Sequence, residues 1–321
     1  MQKVKQGIAI AILLFIFLLI GMRQTDGQSI QGTLVGAGDI ARCGTNSGDE
    51  ITAGLLDQVV ADSISVTVFT VGDNAYPSGT VENFNDCYEP SWGRHKVRTR
   101  PAGGNHDYIT PKASAYFAYF GANAGDPDKG YYAYDLGSNT RVYVLNGQCG
   151  EILGGCSKAS PQAEWLRTDI GANPRACVVV INHYPLFNSG QFGNDKRVRD
   201  LIQILYELAG LDISLAGHAH NYESSWWIDL DGNLNPNGIL FITAGTGGGG
   251  HGPAINYPWM INTRNFNNTT YGVVKLTFYA DNSYEWEFLP EPGEKFTDRG
   301  EGSCNGGNNT FRIYQPLIRS S

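Results

Sequence analysis

Several features that would assign this 321-residue chain to a class are missing from it. Charge is sparse, at 17% Asp, Glu, Lys and Arg, and the balance is acidic, with a formal net charge of −8. No basic block follows the N-terminal lysines, so no nucleic acid is expected as a stable partner. No Cys-x-x-Cys pair occurs, which removes a zinc ribbon. There is no internal repeat and no long linker after Gln28, so residues 28–321 read as one domain. Glycine is abundant, 41 residues, yet it follows no triplet period, which excludes collagen and points to a fold with many tight turns. At 41% hydrophobic residues the chain is too apolar for disorder and long enough to bury a full core.

The N-terminus carries a targeting pattern. Lys3 and Lys5 precede an unbroken apolar run, Ile8 to Ile20; a polar stretch and a small-residue site at Thr25-Asp26-Gly27 follow. The run is short of the ~20 residues a membrane span needs, and residues 1–27 read as a secretory signal peptide. The alternative is an uncleaved anchor, which would make the membrane a partner. No cysteine lies near the cut, so a lipoprotein anchor is unsupported. The expected location is secreted or periplasmic. Cys43, Cys87, Cys149, Cys156, Cys177 and Cys304 then form an even set in an exported chain, which suggests disulfides. Six cysteines allow 15 pairings. One is favoured locally, Cys149 with Cys156 around the Gly-rich turn 150–155. Sequons at Asn267, Asn268 and Asn308 matter only in a host that glycosylates.

Short β-type runs alternate with amphipathic stretches. Strands are predicted at Thr33–Ala37, Val66–Val71, Arg141–Leu145, Ala176–Ile181 and Asp212–Leu215. Helices are predicted at Glu50–Ala61, Ala113–Phe120 and Lys196–Leu208, and from Ser160 as N-cap with Pro161 at the first helical position. Ile239–Thr243, Tyr271–Phe278 and Tyr284–Phe288 read as later strands without helices between them. The pattern is mixed sheets with helices outside.

The chemistry sits where the early strands end. The predicted strands run into Gly38-Asp39, Gly72-Asp73-Asn74-Ala75-Tyr76, Asn182-His183 and Gly217-His218-Ala219-His220, and Pro101-Ala102 leads into Gly103-Gly104-Asn105-His106-Asp107. In α/β sheets the carboxyl edge is where sites form. Singly these are turn residues or core histidines. Jointly they place four of the six histidines, two aspartates and an asparagine at one sheet edge.

The series Gly-Asp, Gly-Asp-x-x-Tyr, Gly-Asn-His-Asp, Asn-His and Gly-His-x-His resembles the calcineurin-like metallophosphoesterases, from Asp39 to His220 in order. Most of that superfamily opens on Asp-x-His. Here it is Asp39-Ile40-Ala41, and Tyr76 stands where the purple acid phosphatase branch supplies a phenolate. The resemblance implies an α/β fold, a four-layer α/β/β/α sandwich of two mixed sheets flanked by helices. It implies an exported hydrolase of small-molecule phosphate monoesters that uses two metal ions and a metal-bound hydroxide. Asp39, Tyr76 and His220 would hold the first ion, and Asn105, His183 and His218 the second, with Asp73 bridging. Hard oxygen donors suit Fe(III) in the first site; Asn and imidazoles suit Zn, Mn or Fe(II) in the second. His106 would protonate the leaving alkoxide, with Asp107 a turn residue or its orienting partner.

Two departures stand out. Relatives often carry further histidines about ten residues after the isolated one, where this chain has Ser189-Gly190-Gln191-Phe192-Gly193. Ser224 falls where a basic residue is common. The enzymatic alternative is a phosphodiesterase or nucleotidase on the same centre, and the absent histidines leave open a secreted metal-binding protein that has lost catalysis. Three further stretches take plain readings. Gly245–His251 is a flexible rim loop, with substrate contact by His251 as the alternative. Trp92–Lys96 is a helix edge that could bind anions, and Tyr131–Tyr134 is a strand packed on the sheet.

Overall fold

Two sheets are set by the β-branched and aromatic runs, and the computed structural model describes them over residues 29–44, 48–62, 65–253 and 262–306. The signal-peptide segment 1–27 and the sequon at Asn308 lie outside the described residues. In chain order the strands are β1 (Ile30–Ala37), β2 (Ala41–Arg42), β3 (Val66–Val71), β4 (Ala75–Tyr76), β5 (Thr99–Ala102), β6 (Tyr132–Leu136), β7 (Thr140–Val144) and β8 (Cys177–Ile181). They continue as β9 (Ile213–Ala216), β10 (Tyr222–Ser225), β11 (Leu240–Ala244), β12 (Thr263–Asn267), β13 (Gly272–Tyr279), β14 (Ser283–Pro290) and β15 (Arg299–Ser303). The longer helices are α1 (Asp49–Ala61), α2 (Ser114–Phe120), α3 (Pro161–Ala172) and α4 (Arg199–Ala209).

The first sheet runs β15-β14-β13-β1-β3-β5, and the second β12-β10-β11-β9-β8-β7-β6. Both are mixed. Strands β1, β3 and β5 are parallel neighbours, as are β7, β8, β9 and β11, while the flanking pairs are antiparallel. Leu34, Phe69 and Val71 of the first sheet meet Val179, Ile181 and Leu215 of the second in the buried space between them. On the outer face of the first sheet, Val35, Val68 and Val273 pack on Leu56 of α1, the segment 84–92 and Tyr116 and Phe120 of α2. On the other outer face Val178, Val180 and Phe241 pack on Leu166 of α3 and Leu201 and Leu205 of α4. The expected four layers, helix, sheet, sheet and helix, are therefore present.

Local signals explain the helix ends. The Ser160 hydroxyl accepts from the Ala163 N–H at 3.2 Å, beside Pro161 at the first helical position. Helix α4 stops at Gly210, left-handed at φ 67°, a conformation that costs glycine nothing. The aromatic run forms β6.

Strands β10, β12 and β15 were not anticipated. β15 reads Arg-Gly-Glu-Gly-Ser, with no β-formers, and it holds because its glycines sit opposite β14 aromatics. Gly300 pairs with Trp286 and Gly302 with Tyr284, and a Cβ at either would lie within 2.5 Å of the facing ring.

The anion-binding reading of Trp92–Lys96 does not hold. Trp92 is buried and its indole N–H donates to Thr52 Oγ1 at 2.9 Å, while Arg94 pairs with Glu50 and Asp57, and His95 with Asp57.

All six cysteines are paired: Cys43–Cys87, the expected Cys149–Cys156, and Cys177–Cys304. The last ties the start of β8 to the segment after β15 across 127 residues; Cys149–Cys156 closes only 7. Loop-closure entropy predicts ~5 kcal/mol for the long loop against ~2 kcal/mol for the short one. The double variant Cys177→Ser/Cys304→Ser is therefore expected to lower the urea midpoint far more than Cys149→Ser/Cys156→Ser. Equal losses would show that loop length does not govern these bridges.

Candidate metal centre

Parallel neighbours end side by side. β1, β3 and β5 bring Asp39, Asp73 and Asn105 to one edge of the first sheet, and β8 and β9 bring His183, His218 and His220 to the facing edge of the second. Backbone hydrogen bonds stitch the edges together, Gly38 N–H to the Ala244 carbonyl at 2.8 Å and Gly247 N–H to that of Gly38 at 2.8 Å, while Gly217 N–H to the His183 carbonyl at 2.9 Å extends the second sheet's own edge.

Four of these residues turn sharply to aim their side chains. Asp39, Asp73, His218 and His220 lie at φ 55°, 53°, 71° and 50°. Left-handed backbone at a non-glycine residue costs ~1–3 kcal/mol and clusters at functional sites. The neighbouring chain has no room for side chains. A Cβ on Gly104 would lie 2.2 Å from Asp73 Oδ1, and one on Gly245 would lie 2.7 Å from Asp39 Oδ2.

Two donor groups result. In the first, Tyr76 Oη lies 2.9 Å from Asp39 Oδ1, 3.1 Å from Asp73 Oδ2 and 3.0 Å from His220 Nε2. Tyr76 reaches this point because β4 pairs with β2, Ala75 beside Ala41 and Tyr76 beside Arg42. Nδ1 of His220 is 3.1 Å from the Gly250 carbonyl, an acceptor, so Nδ1 carries the hydrogen and Nε2 presents a lone pair. One phenolic hydrogen thus faces three acceptors.

In the second group His183 Nε2 lies 3.0 Å from Asn105 Oδ1, 3.4 Å from Asp73 Oδ2 and 3.2 Å from His218 Nδ1. Nδ1 of His183 donates to the Val71 carbonyl at 2.8 Å, which aims Nε2 inward. The donor atoms of Asp73, His183 and His218 fall within 4.8 Å of one another. Asp73 Oδ2 faces both groups, while Oδ1 is held by the His106 N–H at 2.8 Å. Asp39 Oδ2 is held likewise by the His218 N–H at 2.8 Å.

The electrostatics of the side chains alone are conflicted. Burial raises Asp39 above the carboxylate range, although His220 and His183 pull it down. Burial opposes Asp73 too, but His183 and His106 carry it well below that range. Burial, reinforced by Asp39 and Asp73, holds the Tyr76 phenol far above its ordinary value. His183 is disfavoured as a cation by burial, yet Asp73 and Asp39 lift it to about 9, and burial with His183 then pushes His218 down to about 3. A proton on His183 occupies the place a metal cation would fill. A bound cation would reverse the sign at Tyr76, because it stabilises an anionic ligand. Buried oxygen and imidazole lone pairs that outnumber the available protons fit metal ions.

His106 sits at the rim, with Nδ1 2.6 Å from the Pro77 carbonyl, Nε2 3.9 Å from Asp73 Oδ2 and its ring 4.5 Å from that of Tyr76. Asp107 does not orient it. Fully buried, its carboxylate accepts from Asn74 and the Gly104 N–H, which pins the turn, and burial and Asp73 raise it to about 6. The Gly-rich stretch is not a flexible rim. Residues 245–249 are buried against Asp39 and Tyr76, and the Gly250 carbonyl positions His220. His251 stacks on Tyr271 at 4.0 Å. Sequence reading had no means of finding that carbonyl, since any residue supplies one. It also passed over Phe192, which lies on His218.

A family profile described as "Calcineurin-like phosphoesterase" matches residues 33–222, more than half of the chain. Purple acid phosphatase 22 of Arabidopsis thaliana is 30% identical over 192 residues, covering 54% of this chain and 44% of the relative. The chain thus spans less than half the length of that relative. A nucleotide pyrophosphatase/phosphodiesterase of Hordeum vulgare is 23% identical and aligns over 85% of this chain and 83% of its own. Among solved structures, the purple acid phosphatase PPD1 of yellow lupin (Lupinus luteus) has the same fold, with a TM-score of 0.69 at 18% identity, covering 92% of this chain and 58% of that one. The matched span contains all seven donor residues described above, and the chain belongs to the calcineurin-like phosphoesterase family, with purple acid phosphatases among the proteins it resembles.

Proposed function

We propose that the chain is an exported, metal-dependent phosphoric ester hydrolase acting on small-molecule phosphate monoesters at a dinuclear centre. The observation that carries this is the convergence of six donor side chains from the facing edges of the two sheets, joined by Tyr76 from β4, with too few protons to satisfy them. Asp39, Tyr76 and His220 would hold one ion and Asn105, His183 and His218 the other, both sharing Asp73 Oδ2. Carboxylate and phenolate oxygens suit Fe(III) in the first position, and the amide and imidazoles suit Zn, Mn or Fe(II) in the second. Bound there, the two cations supply Lewis acidity toward the phosphoryl oxygens and activate water for in-line attack. Three disulfides support an oxidising location outside the cytoplasm, secreted or periplasmic.

The polypeptide contributes position and a proton. Backbone N–H groups fix one oxygen of each aspartate, and carbonyls fix the tautomers of His183 and His220. With Nδ1–H on Pro77, a proton on His106 Nε2 faces the centre from the solvent side and can pass to the departing alkoxide.

A second reading, a phosphodiesterase or nucleotidase on the same residues, is favoured by the near full-length alignment with the barley protein. Paired assays on an aryl phosphomonoester and an aryl phosphodiester decide between them. Two metals per chain with neither ester cleaved would establish a metal-binding protein without catalysis.

Three substitutions test the roles. Asp73→Ala is expected to lose both ions by elemental analysis and several powers of ten in rate; more than about a tenth of wild-type activity would refute the shared ligand. Tyr76→Phe keeps a ring in the same buried slot and is expected to bleach the visible band of the Fe(III) protein and weaken the first ion, with a smaller rate loss than Asp73→Ala. An unchanged band would show that Tyr76 does not bind iron. His106→Ala is expected to slow esters with poor leaving groups by ~10²- to 10⁴-fold and an activated aryl phosphate far less. Equal slowing of both, with metal content intact, would assign it a positioning role.

A further inference from the structure

The stretch without histidines, 189–193, is anchored at its base. The Ser189 N–H and hydroxyl donate to the two oxygens of buried Glu223, each at 2.6 Å. Asn188 Nδ2 donates to Asn221 Oδ1 at 3.1 Å and Thr243 Oγ1 at 3.2 Å, and the Gly190 N–H returns to Asn188 Oδ1 at 2.6 Å. These contacts lock the loop to β10 and β11.

From that base Phe192 reaches one residue of the candidate centre, His218. Its ring lies 4.4 Å from that of His218, tilted by 27°, in a stack. The residue is nonetheless 52% exposed. One face therefore covers a donor histidine while the other meets water. An isolated exposed phenylalanine is unremarkable. This one is held by a locked loop, one stacking distance from a residue of the candidate centre.

We propose that Phe192 is a specificity-determining residue that stacks the aromatic part of the leaving group, so that the site prefers aryl-bearing phosphoesters, nucleotides among them, over aliphatic ones. The inference rests on the phosphoesterase reading above. An offset or tilted ring on the open face adds to area burial, a gain that corresponds to about two- to tenfold in affinity.

The probes are phenylphosphonate and methylphosphonate, which cannot be hydrolysed, titrated calorimetrically into the metal-loaded protein. The wild type is expected to bind phenylphosphonate about two- to tenfold more tightly. Phe192→Ala is expected to abolish that preference while leaving methylphosphonate affinity and metal content unchanged, and Phe192→Tyr to retain it. In turnover, Phe192→Ala should raise KM for an aryl ester and not for glycerol phosphate, with kcat little altered. If both phosphonates bind but the preference is absent, or survives Phe192→Ala, this inference fails while the phosphoesterase reading stands. Equal weakening of both probes with altered metal content would reduce Phe192 to a prop for His218. Binding of neither probe would overturn this inference together with the reading it rests on.

Discussion

Lone pairs without enough protons are the constraint around which the molecule is arranged. Tyr76 Oη has one hydrogen and three acceptors around it, and His183 Nε2 faces two oxygens and a second imidazole nitrogen. Buried polar atoms in such a relation are costly unless something positive joins them. Five strand ends from two sheets are needed to assemble that crowd, and only parallel neighbours deliver so many ends to one edge. The sandwich is the scaffold for the edge.

The same constraint explains why strained backbone is concentrated there. At Asp39, Asp73, His218 and His220 the chain leaves its strand and doubles back in the left-handed region. Each turn is pinned by a backbone hydrogen bond or by a carboxylate oxygen fixed on an N–H, as Asp39 is on His218 and Asp73 on His106. The site is thus over-determined from both sheets, which is the condition under which such strain persists.

Much of this was legible in the sequence because β-branched runs such as Val66–Val71 and Cys177–Ile181 end abruptly on ligand-type residues. The lack of a histidine at Ala41 together with the presence of Tyr76 pointed to the branch, and β2 beside β4 brings the two segments together, Ala41 opposite Ala75 and Arg42 opposite Tyr76. What stayed hidden depended on partners rather than on residue type. β15 exists because glycines accommodate the rings of Trp286 and Tyr284, which no propensity encodes. The Gly250 carbonyl that sets His220 and the stack of Phe192 on His218 are tertiary contacts between distant segments. The Gly245–His251 run looked like a flexible rim because glycine is permissive; in the structure a Cβ on Gly245 would collide with Asp39 and one on Gly249 with Tyr76.

The glycine excess has an entropic consequence. Glycine-rich segments lose more backbone freedom on folding than other sequence, and here those segments must also order strained turns and desolvated anions. Cross-links that shrink the unfolded ensemble offset that deficit from the unfolded side, and cations held at the assembled edge would offset it from the folded side. Thiol reduction and, under the metal-dependent function proposed above, chelation would then be two independent handles on a single folding equilibrium.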